Sequence, residues 1–237
     1  MPRNLIYQYY LPYTGPDAEI KKHGLNGLPA WAELGLNSAR KYAATIDVEH
    51  MFCDKITINA PNQNLESGRV FLDPYFDDFD NVLVLDIDTL IDTDRSIFNI
   101  PFDDIAMVQD GGPGSPQGFI RNITTEIETY GGKKLPMSTS FPREKRYLNG
   151  GVQMWSKVGR LKARERFGGL PEMFRYRKAL KRNEQPYLNL MLNLHDIEVT
   201  EISNVWNRTN YMWKFGIPDG HINHFLALSK HRMKDFK

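Results

Sequence analysis

The chain has 237 residues, a formal net charge of +1 at pH 7, 41% hydrophobic residues and 12% aromatic residues. These values are typical of one ordinary globular domain, which we expect to span residues 1–237. The near-zero net charge argues against nucleic acid as a partner. A single cysteine, Cys53, excludes an internal disulfide and a cysteine-rich zinc site. Because the sequence has no membrane-length apolar run and no signal-like amino terminus, we expect a cytoplasmic protein.

The predicted elements alternate between strands and helices. Leu5–Leu11 predicts an aromatic opening strand, and apolar residues at helical spacing predict a helix over Pro29–Ile46. Further strands are predicted over Glu49–Cys53, Val82–Asp86, Ile105–Gln109 and Tyr147–Trp155, followed by a long helix to about Arg182. The alternation predicts an α/β fold with a mixed, mainly parallel central sheet, in which ligands bind beyond the carboxyl ends of the strands.

Two aspartates, Asp86 and Asp88, follow the apolar run of the third predicted strand. Carboxylates held close together repel each other unless a cation or a proton joins them. Mg²⁺ or Mn²⁺ usually combines one or two carboxylates with substrate phosphates, so the pair is typical of a metal that clamps a diphosphate. The alternative is a polar turn in which Asp88 caps the strand end. On repulsion alone, replacing Asp88 would leave the fold intact or more stable.

Four segments, in chain order, resemble those of metal-dependent glycosyltransferases with the GT-A fold, a Rossmann-like fold that binds nucleotide-diphospho-sugars. The resemblance is greatest to family 8, the glycogenin and lipopolysaccharide galactosyltransferase group. The segments are Asp86-Ile-Asp88-Thr89, Asn149-Gly150-Gly151-Val152, Glu184-Gln185-Pro-Tyr-Leu-Asn189 and His224-Phe225-Leu-Ala-Leu-Ser-Lys230. Val205-Trp206-Asn207 also resembles the Trp-Asn that often precedes the last segment. The departures are Glu184 for the usual Asp, Ala227 for Gly, and His231-Arg232 for Pro-Trp.

The resemblance implies a hexosyl- or pentosyltransferase that moves a sugar from a nucleotide-diphosphate donor, with UDP-sugars favoured, to an acceptor hydroxyl. The acceptor would be a glycan, a lipid-linked molecule or a protein. It implies a Mn²⁺ (or Mg²⁺) cofactor bound by Asp86, Asp88 and His224. The residues that it implies in nucleotide or donor-sugar binding are Gln8, Tyr9, Tyr10, Asp86, Asn149, Gly150, Gly151 and Lys230.

Several of these residues also have a purely structural interpretation. His224 would be a packed core histidine, and either Tyr9 or Tyr10 would face the core because successive strand residues point in opposite directions. Glycines inside a strand weaken it unless a backbone or a ligand approaches closely, so Gly150-Gly151 marks either the donor sugar or a bulge on an edge strand.

Glu184 and Gln185 are predicted at the amino end of a helix that Pro186 opens, projecting into the cleft. The resemblance implies that this pair steadies positive charge at the anomeric carbon during a retaining transfer. In an inverting transfer Glu184 would be the base that acts on the acceptor hydroxyl. As a structural residue it would be a favourable acid in a first helical turn.

Charge is divided between two parts of the chain. Residues 73–110 contain eleven aspartates and one basic residue, whereas residues 157–182 contain ten Lys or Arg and two Glu. We predict that the basic segment faces an anionic acceptor or an anionic membrane surface, and the alternative is a solvated helix.

Three other functions fit parts of the pattern. A non-catalytic binder of sugar nucleotides or glycans would keep the same residues without turnover. A nucleotidyltransferase would share the sheet and metal, but it needs a glycine-rich basic loop after the first strand. A phosphatase of the haloacid dehalogenase type needs Thr or Val four residues after its first Asp, where this chain has Leu90.

Overall fold

The computed structural model describes residues 2–10, 28–55, 68–110, 147–169, 184–195, 197–209 and 220–236. The strands are β1 (Asn4–Tyr9), β2 (Glu49–Cys53), β3 (Asn81–Leu85), β4 (Thr89–Ile91), β5 (Ile105–Gln109), β6 (Leu148–Ser156), β7 (Val199–Glu201), β8 (Arg208–Thr209) and β9 (Ile222–His224). The α-helices are α1 (Ala30–Thr45), α2 (Arg69–Leu72), α3 (Lys157–Arg166) and α4 (Glu184–Leu194). Short 3₁₀ helices cover Pro74–Asp78, Ile97–Asn99, Asn204–Trp206 and Ala227–Asp235.

Six strands form the main sheet in the order β2-β1-β3-β6-β5-β7. β1 is parallel to β2 and β3, and β5 is parallel to β7, while β6 runs antiparallel to both of its neighbours, β3 and β5. β3 therefore lies inside the sheet, where its unbroken apolar sequence is buried from both sides. This mixed, mainly parallel sheet confirms the predicted α/β class.

Helices cover both faces of this sheet. On one face α1 contributes Ala39 and Tyr42 to a buried cluster with Leu83 of β3. On the other face α2, α3 and α4 pack against alternate strand residues such as Val82 and Val84. The period-two alternation of strand side chains divides the core between these two layers. None of the helices in the described ranges has the length and hydropathy to cross a membrane.

A second, three-stranded sheet has the order β4-β9-β8 and joins the carboxyl-terminal part of the chain to the segment that follows β3. Helix α1 packs closely onto the same segment at Gly35. A Cβ at this position would collide with the Ile87 carbonyl, so the close packing requires glycine. Ser38 Oγ accepts a hydrogen bond of 2.8 Å from the Ile91 backbone N–H. The turn between β3 and β4 is therefore held by β9 and α1.

The prediction of one continuous long helix after β6 is wrong. Helix α3 ends at Arg166, and Gly168 and Gly169 follow with φ values of 73° and 67°, which lie outside the helical region. The rest of the predicted helix, from residue 170 to about Arg182, lies outside the described ranges. The predicted bounds of β2 and β5 are confirmed, and those of β1, β3, β6 and α1 differ only at their ends.

Candidate metal and donor site

Asp86, Asp88 and His224 come together at the carboxyl end of β3. His224 Nε2 lies 3.2 Å from Asp88 Oδ1 and 3.5 Å from Asp86 Oδ2. One potential ligand atom from each of the three residues lies within 4.8 Å of the other two. These are the three residues that the sequence predicted as metal ligands.

Two backbone features bring these side chains together. Asp86 and Asp88 lie in the turn between β3 and β4, which Thr89 Oγ1 closes by donating to the Asp86 carbonyl at 2.8 Å. β4 and β9 then pair antiparallel with Thr89 opposite His224, and the Phe225 N–H donates to the Asp88 carbonyl at 2.9 Å. The strand pairing therefore carries His224 to the aspartates across a long separation in the sequence.

The donor set fits a divalent cation. His224 is 1% exposed, and its buried Nε2 lies against two carboxylates without the geometry of a hydrogen bond to either. A buried polar atom without such a bond is costly, and coordination to a cation would satisfy it. Asp86 is partly exposed, which leaves one side of the group open to a ligand. The two carboxylates suit hard divalent ions such as Mg²⁺ and Mn²⁺, and the imidazole is a common ligand of first-row transition metals.

Two positive groups balance the carboxylates. Lys230 Nζ lies 2.9 Å from Asp88 Oδ2 and 4.5 Å from the centre of the Trp31 ring. Burial alone would raise the pKa of Asp88, but His224 and Lys230 outweigh burial and lower it. Burial would likewise lower the pKa of His224, but the Asp88 and Asp86 carboxylates outweigh burial and raise it.

This balance changes one expectation drawn from repulsion between the aspartates. Because Asp88 lies between two cations, its charge stabilises the fold, and replacing it leaves His224 and Lys230 close together without their shared partner. We therefore expect replacement of Asp88 to destabilise the metal-free protein rather than to stabilise it.

Gly151 is needed because the His224 ring packs directly on β6. A Cβ at Gly151 would collide with His224 Cε1 and Nδ1, whereas a Cβ at Gly150 would meet Gln185 at an ordinary 3.4 Å. β6 lies between β3 and β5 and is therefore not an edge strand, so the alternative of a bulge on an edge strand is wrong in this respect. The register with β5 does shift in this region, between Met107 and Val108.

Asn149 and Gln185 meet at a carboxylate that the sequence did not single out as a site residue, Asp110. Asn149 Nδ2 donates to Asp110 Oδ1 at 3.2 Å, and Gln185 Nε2 donates to Asp110 Oδ2 at 3.0 Å. Gln185 Oε1 accepts a hydrogen bond of 2.7 Å from the Gly150 N–H. Glu184 begins α4, as predicted, and its side chain lies outside the described part of the chain.

The predicted donor residues of β1 lie at its carboxyl end. Gln8 is fully buried, and its Oε1 lies 3.1 Å from His50 Nε2. Tyr9 packs beside the Tyr7 ring and Tyr10 beside the Trp31 ring, with ring centres 6.0 Å and 5.8 Å apart. Both tyrosines are partly buried, and they lie on opposite sides of the strand. The prediction that one of them faces the core therefore does not separate the two. Their contacts with a donor remain predictions.

Several charges of the predicted basic surface are used inside the protein. Lys162 pairs with Asp104 at 2.8 Å, and Arg164 pairs with Asp77 at 2.7 Å. Arg160 is fully buried and donates to backbone carbonyls, including that of Trp155. These three side chains of α3 therefore stabilise the fold. The rest of the predicted basic surface, residues 170–182, lies outside the described ranges.

Sequence reasoning did not assign site roles to Asp110, Trp31 and Asn207. Asp110 directly follows a predicted strand, and Asn207 belongs to the Trp-Asn pair that resembles the family pattern, so both carried a weak signal. Trp31 carried none, because only the tertiary structure brings it to Lys230.

The whole structure is similar to solved glycosyltransferase structures. A glycosyltransferase involved in glycosylation of the major capsid of PBCV-1 gives a TM-score of 0.59 at 11% identity, covering 99% of this chain and 98% of that one. Galactosyltransferase LgtC, solved with donor and acceptor sugar analogs, gives 0.55 at 13% identity, covering 98% and 94%. Mouse xyloside xylosyltransferase 1 in its apo form gives 0.50 at 13% identity, covering 96% and 99%. Neither a family model nor a curated protein sequence matches the chain.

The chain therefore has the GT-A glycosyltransferase fold. The similarity covers nearly all of this chain and nearly all of each of these three proteins. The predicted resemblance to family 8, the family of LgtC, is confirmed at the level of the fold.

Proposed function

We propose that the protein is a metal-dependent glycosyltransferase that moves a sugar from a nucleotide-diphosphate donor, preferably a UDP-sugar, to an acceptor hydroxyl. The observation that carries this proposal is the group formed by Asp86, Asp88 and His224 in a GT-A fold, with Lys230 beside it. A strand-end site of this kind lies where ligands bind in open α/β sheets.

The residues of the site have distinct roles in this proposal. Asp86, Asp88 and His224 Nε2 would hold Mn²⁺ or Mg²⁺. When bound, the cation would neutralise charge that develops on the departing nucleotide diphosphate. Lys230 would add a second positive charge for the diphosphate, as a point charge on a flexible stem. Gln8, Tyr9 and Tyr10 would contact the nucleotide, and Asn149, Gly150 and Gly151 would line the side of the donor sugar.

The transfer breaks the bond between the anomeric carbon and a diphosphate oxygen, and it forms a bond from that carbon to the acceptor oxygen. In a retaining reaction both events occur on one face of the sugar, and the acceptor proton passes to the departing phosphate. Gln185, held by Gly150 and Asp110, and its neighbour Glu184 would steady the positive charge at the anomeric carbon. We infer retention from this arrangement and from the resemblance to family 8.

The proposal is tested by incubating a panel of nucleotide sugars with the protein and Mn²⁺ and measuring released nucleotide. Release of UDP from a UDP-sugar, abolished by EDTA, is the expected result. Pyrophosphate released from a nucleoside triphosphate would indicate a nucleotidyltransferase instead, and tight binding without any release would indicate a binding protein. Hydrolysis of a generic phosphomonoester would indicate a phosphatase.

Retention is tested by NMR of the first-formed product. We expect its anomeric configuration to match the donor. Glu184→Gln should lower turnover more than tenfold with donor affinity nearly unchanged, because the lost charge acts only in the transition state. A product of opposite configuration would contradict retention and make Glu184 a candidate base.

A further inference from the structure

His224 is held from one side by a single hydrogen bond. Its Nδ1 lies 3.1 Å from Asn207 Oδ1, whereas its Nε2 faces the two carboxylates without the geometry of a hydrogen bond to either. Asn207 is itself fully buried, at 0% exposure. A buried amide is costly unless its polar ends are paired, so its orientation is determined by its neighbours.

A backbone N–H defines that orientation. Gly151 N–H donates to the Asn149 side chain at 2.9 Å, so the atom that it meets must be the acceptor, Oδ1. Asn207 places its own amide nitrogen, a donor, 2.8 Å from the same oxygen. The other end of the Asn207 amide, which faces His224, is therefore its oxygen. Because an amide oxygen only accepts, His224 Nδ1 must carry a hydrogen.

The far end of Asn149 is held in the same way. Its Nδ2 donates to Asp110, which also receives the amide of Gln185 from α4. Gln185 is oriented independently, because its oxygen accepts the Gly150 N–H. A reversal of the Asn207 amide would therefore break bonds along a network that begins at the helix and ends at the imidazole.

We propose that Asn207 is a positioning residue of the metal site, which holds His224 with its hydrogen on Nδ1 and directs the Nε2 lone pair towards the cation. This inference rests on the proposed metal-dependent function. The opposite tautomer would place an N–H against the cation and turn the Nδ1 lone pair towards the Asn207 oxygen. Groups that orient a metal-bound imidazole in this manner typically contribute 10–100-fold to metal affinity.

The first test replaces the amide with an apolar group of similar size. Asn207→Leu should weaken Mn²⁺ binding about 10–100-fold, measured without nucleotide from the electron paramagnetic resonance signal of free Mn²⁺. Asn81→Leu is the matched control, since the Asn81 amide bonds to Asn4 at the opposite end of β3. Its Mn²⁺ affinity should equal that of the wild type. Equal affinity in Asn207→Leu would overturn the inference.

The second test needs no variant and so does not depend on how Asn207→Leu folds. Histidine ring ¹⁵N NMR of the wild type, loaded with diamagnetic Zn²⁺, reports which nitrogen of His224 carries the hydrogen. We expect the hydrogen on Nδ1 and the metal on Nε2. The reverse assignment would overturn the inference even if the metal bound tightly.

The two proposals fail in different ways. A wild-type protein that binds Mn²⁺ through His224 Nε2 but releases no nucleotide from any donor would contradict the glycosyltransferase function and still support the role of Asn207. A wild-type protein that takes up neither Mn²⁺ nor Zn²⁺ would overturn both.

Discussion

Lys230 lies between two groups that stabilise a cation, the Asp88 carboxylate and the face of the Trp31 ring. Its charge helps to balance the aspartates. In the proposed function, the same ammonium group would contact the diphosphate of the donor. Lys230 would therefore have Asp88 as a structural partner and the donor diphosphate as a functional one.

At the scale of this residue we predict a selective loss of phosphate affinity. Lys230→Met should weaken UDP binding by about 1.5–3 kcal/mol and uridine binding much less, because only the diphosphate meets the ammonium group. Calorimetric titration with both ligands measures the difference. Lys234→Met, an exposed lysine of the same 3₁₀ helix, is the control and should change neither. Equal losses for uridine and UDP would point to a folding defect.

The strand β6 shows how one element serves the site through the absence of a side chain. His224 occupies the space beside Gly151 that a Cβ would fill. The sequence indicated a close approach at this pair of glycines, and it suggested a sugar or a bulge. The structure identifies the group beside Gly151 as the imidazole, which reaches β6 from β9.

At the scale of this element we predict that two adjacent glycines respond differently. Gly151→Ala should displace His224 and lower Mn²⁺ affinity at least tenfold, because the new methyl group and the ring cannot occupy one volume. Gly150→Ala adds only an ordinary contact with Gln185 and should retain Mn²⁺ affinity within about threefold. Mn²⁺ titration of both variants checks this, and a tight site in Gly151→Ala would show that His224 is not held against β6.

Local patterns in the sequence predicted five of the strands, β1, β2, β3, β5 and β6, but not the short strands β4, β7 and β8. The bounds of β2 and β5 follow from runs of residues that suit a strand, and Asp86, Asp88 and His224 follow from ordered motifs. The pairing of β4 with β9, and the orientation of Asn207, depend on residues far apart in the chain, so no local pattern contains them. The break after α3 lies at Gly168 and Gly169, whose positive φ values interrupt the predicted continuous helix.

At the scale of the whole molecule, His50 of β2 links stability to pH. Burial, with a smaller contribution from the charge of Arg40, lowers the pKa of His50 from 6.5 to about 4 in the folded protein. The unfolded chain therefore binds a proton between about pH 6.5 and pH 4 that the folded protein excludes. The stability that neutral His50 contributes is complete above that window and is lost as the pH falls through it.

We predict that His50→Gln flattens this dependence. Urea unfolding from pH 7 to pH 4 should show the wild type losing about 1–2 kcal/mol more than the variant, since His50 is partly solvated. Circular dichroism follows the transition at each pH, and comparison with the variant cancels the other acidic and basic groups. Parallel stability curves for the two proteins would contradict a buried neutral His50.

In the proposed function, Asp86, Asp88 and His224 would hold a cation on which donor binding depends. Calorimetric titration of UDP tests it most directly, with the wild type in Mn²⁺, the wild type in EDTA, and Asp88→Asn in Mn²⁺. We predict binding in the first case and a loss of at least about 100-fold, roughly 2.7 kcal/mol, in the other two, with circular dichroism verifying that Asp88→Asn is folded. UDP binding of equal strength in EDTA, or to folded Asp88→Asn, would contradict a donor site that depends on a cation held by these residues.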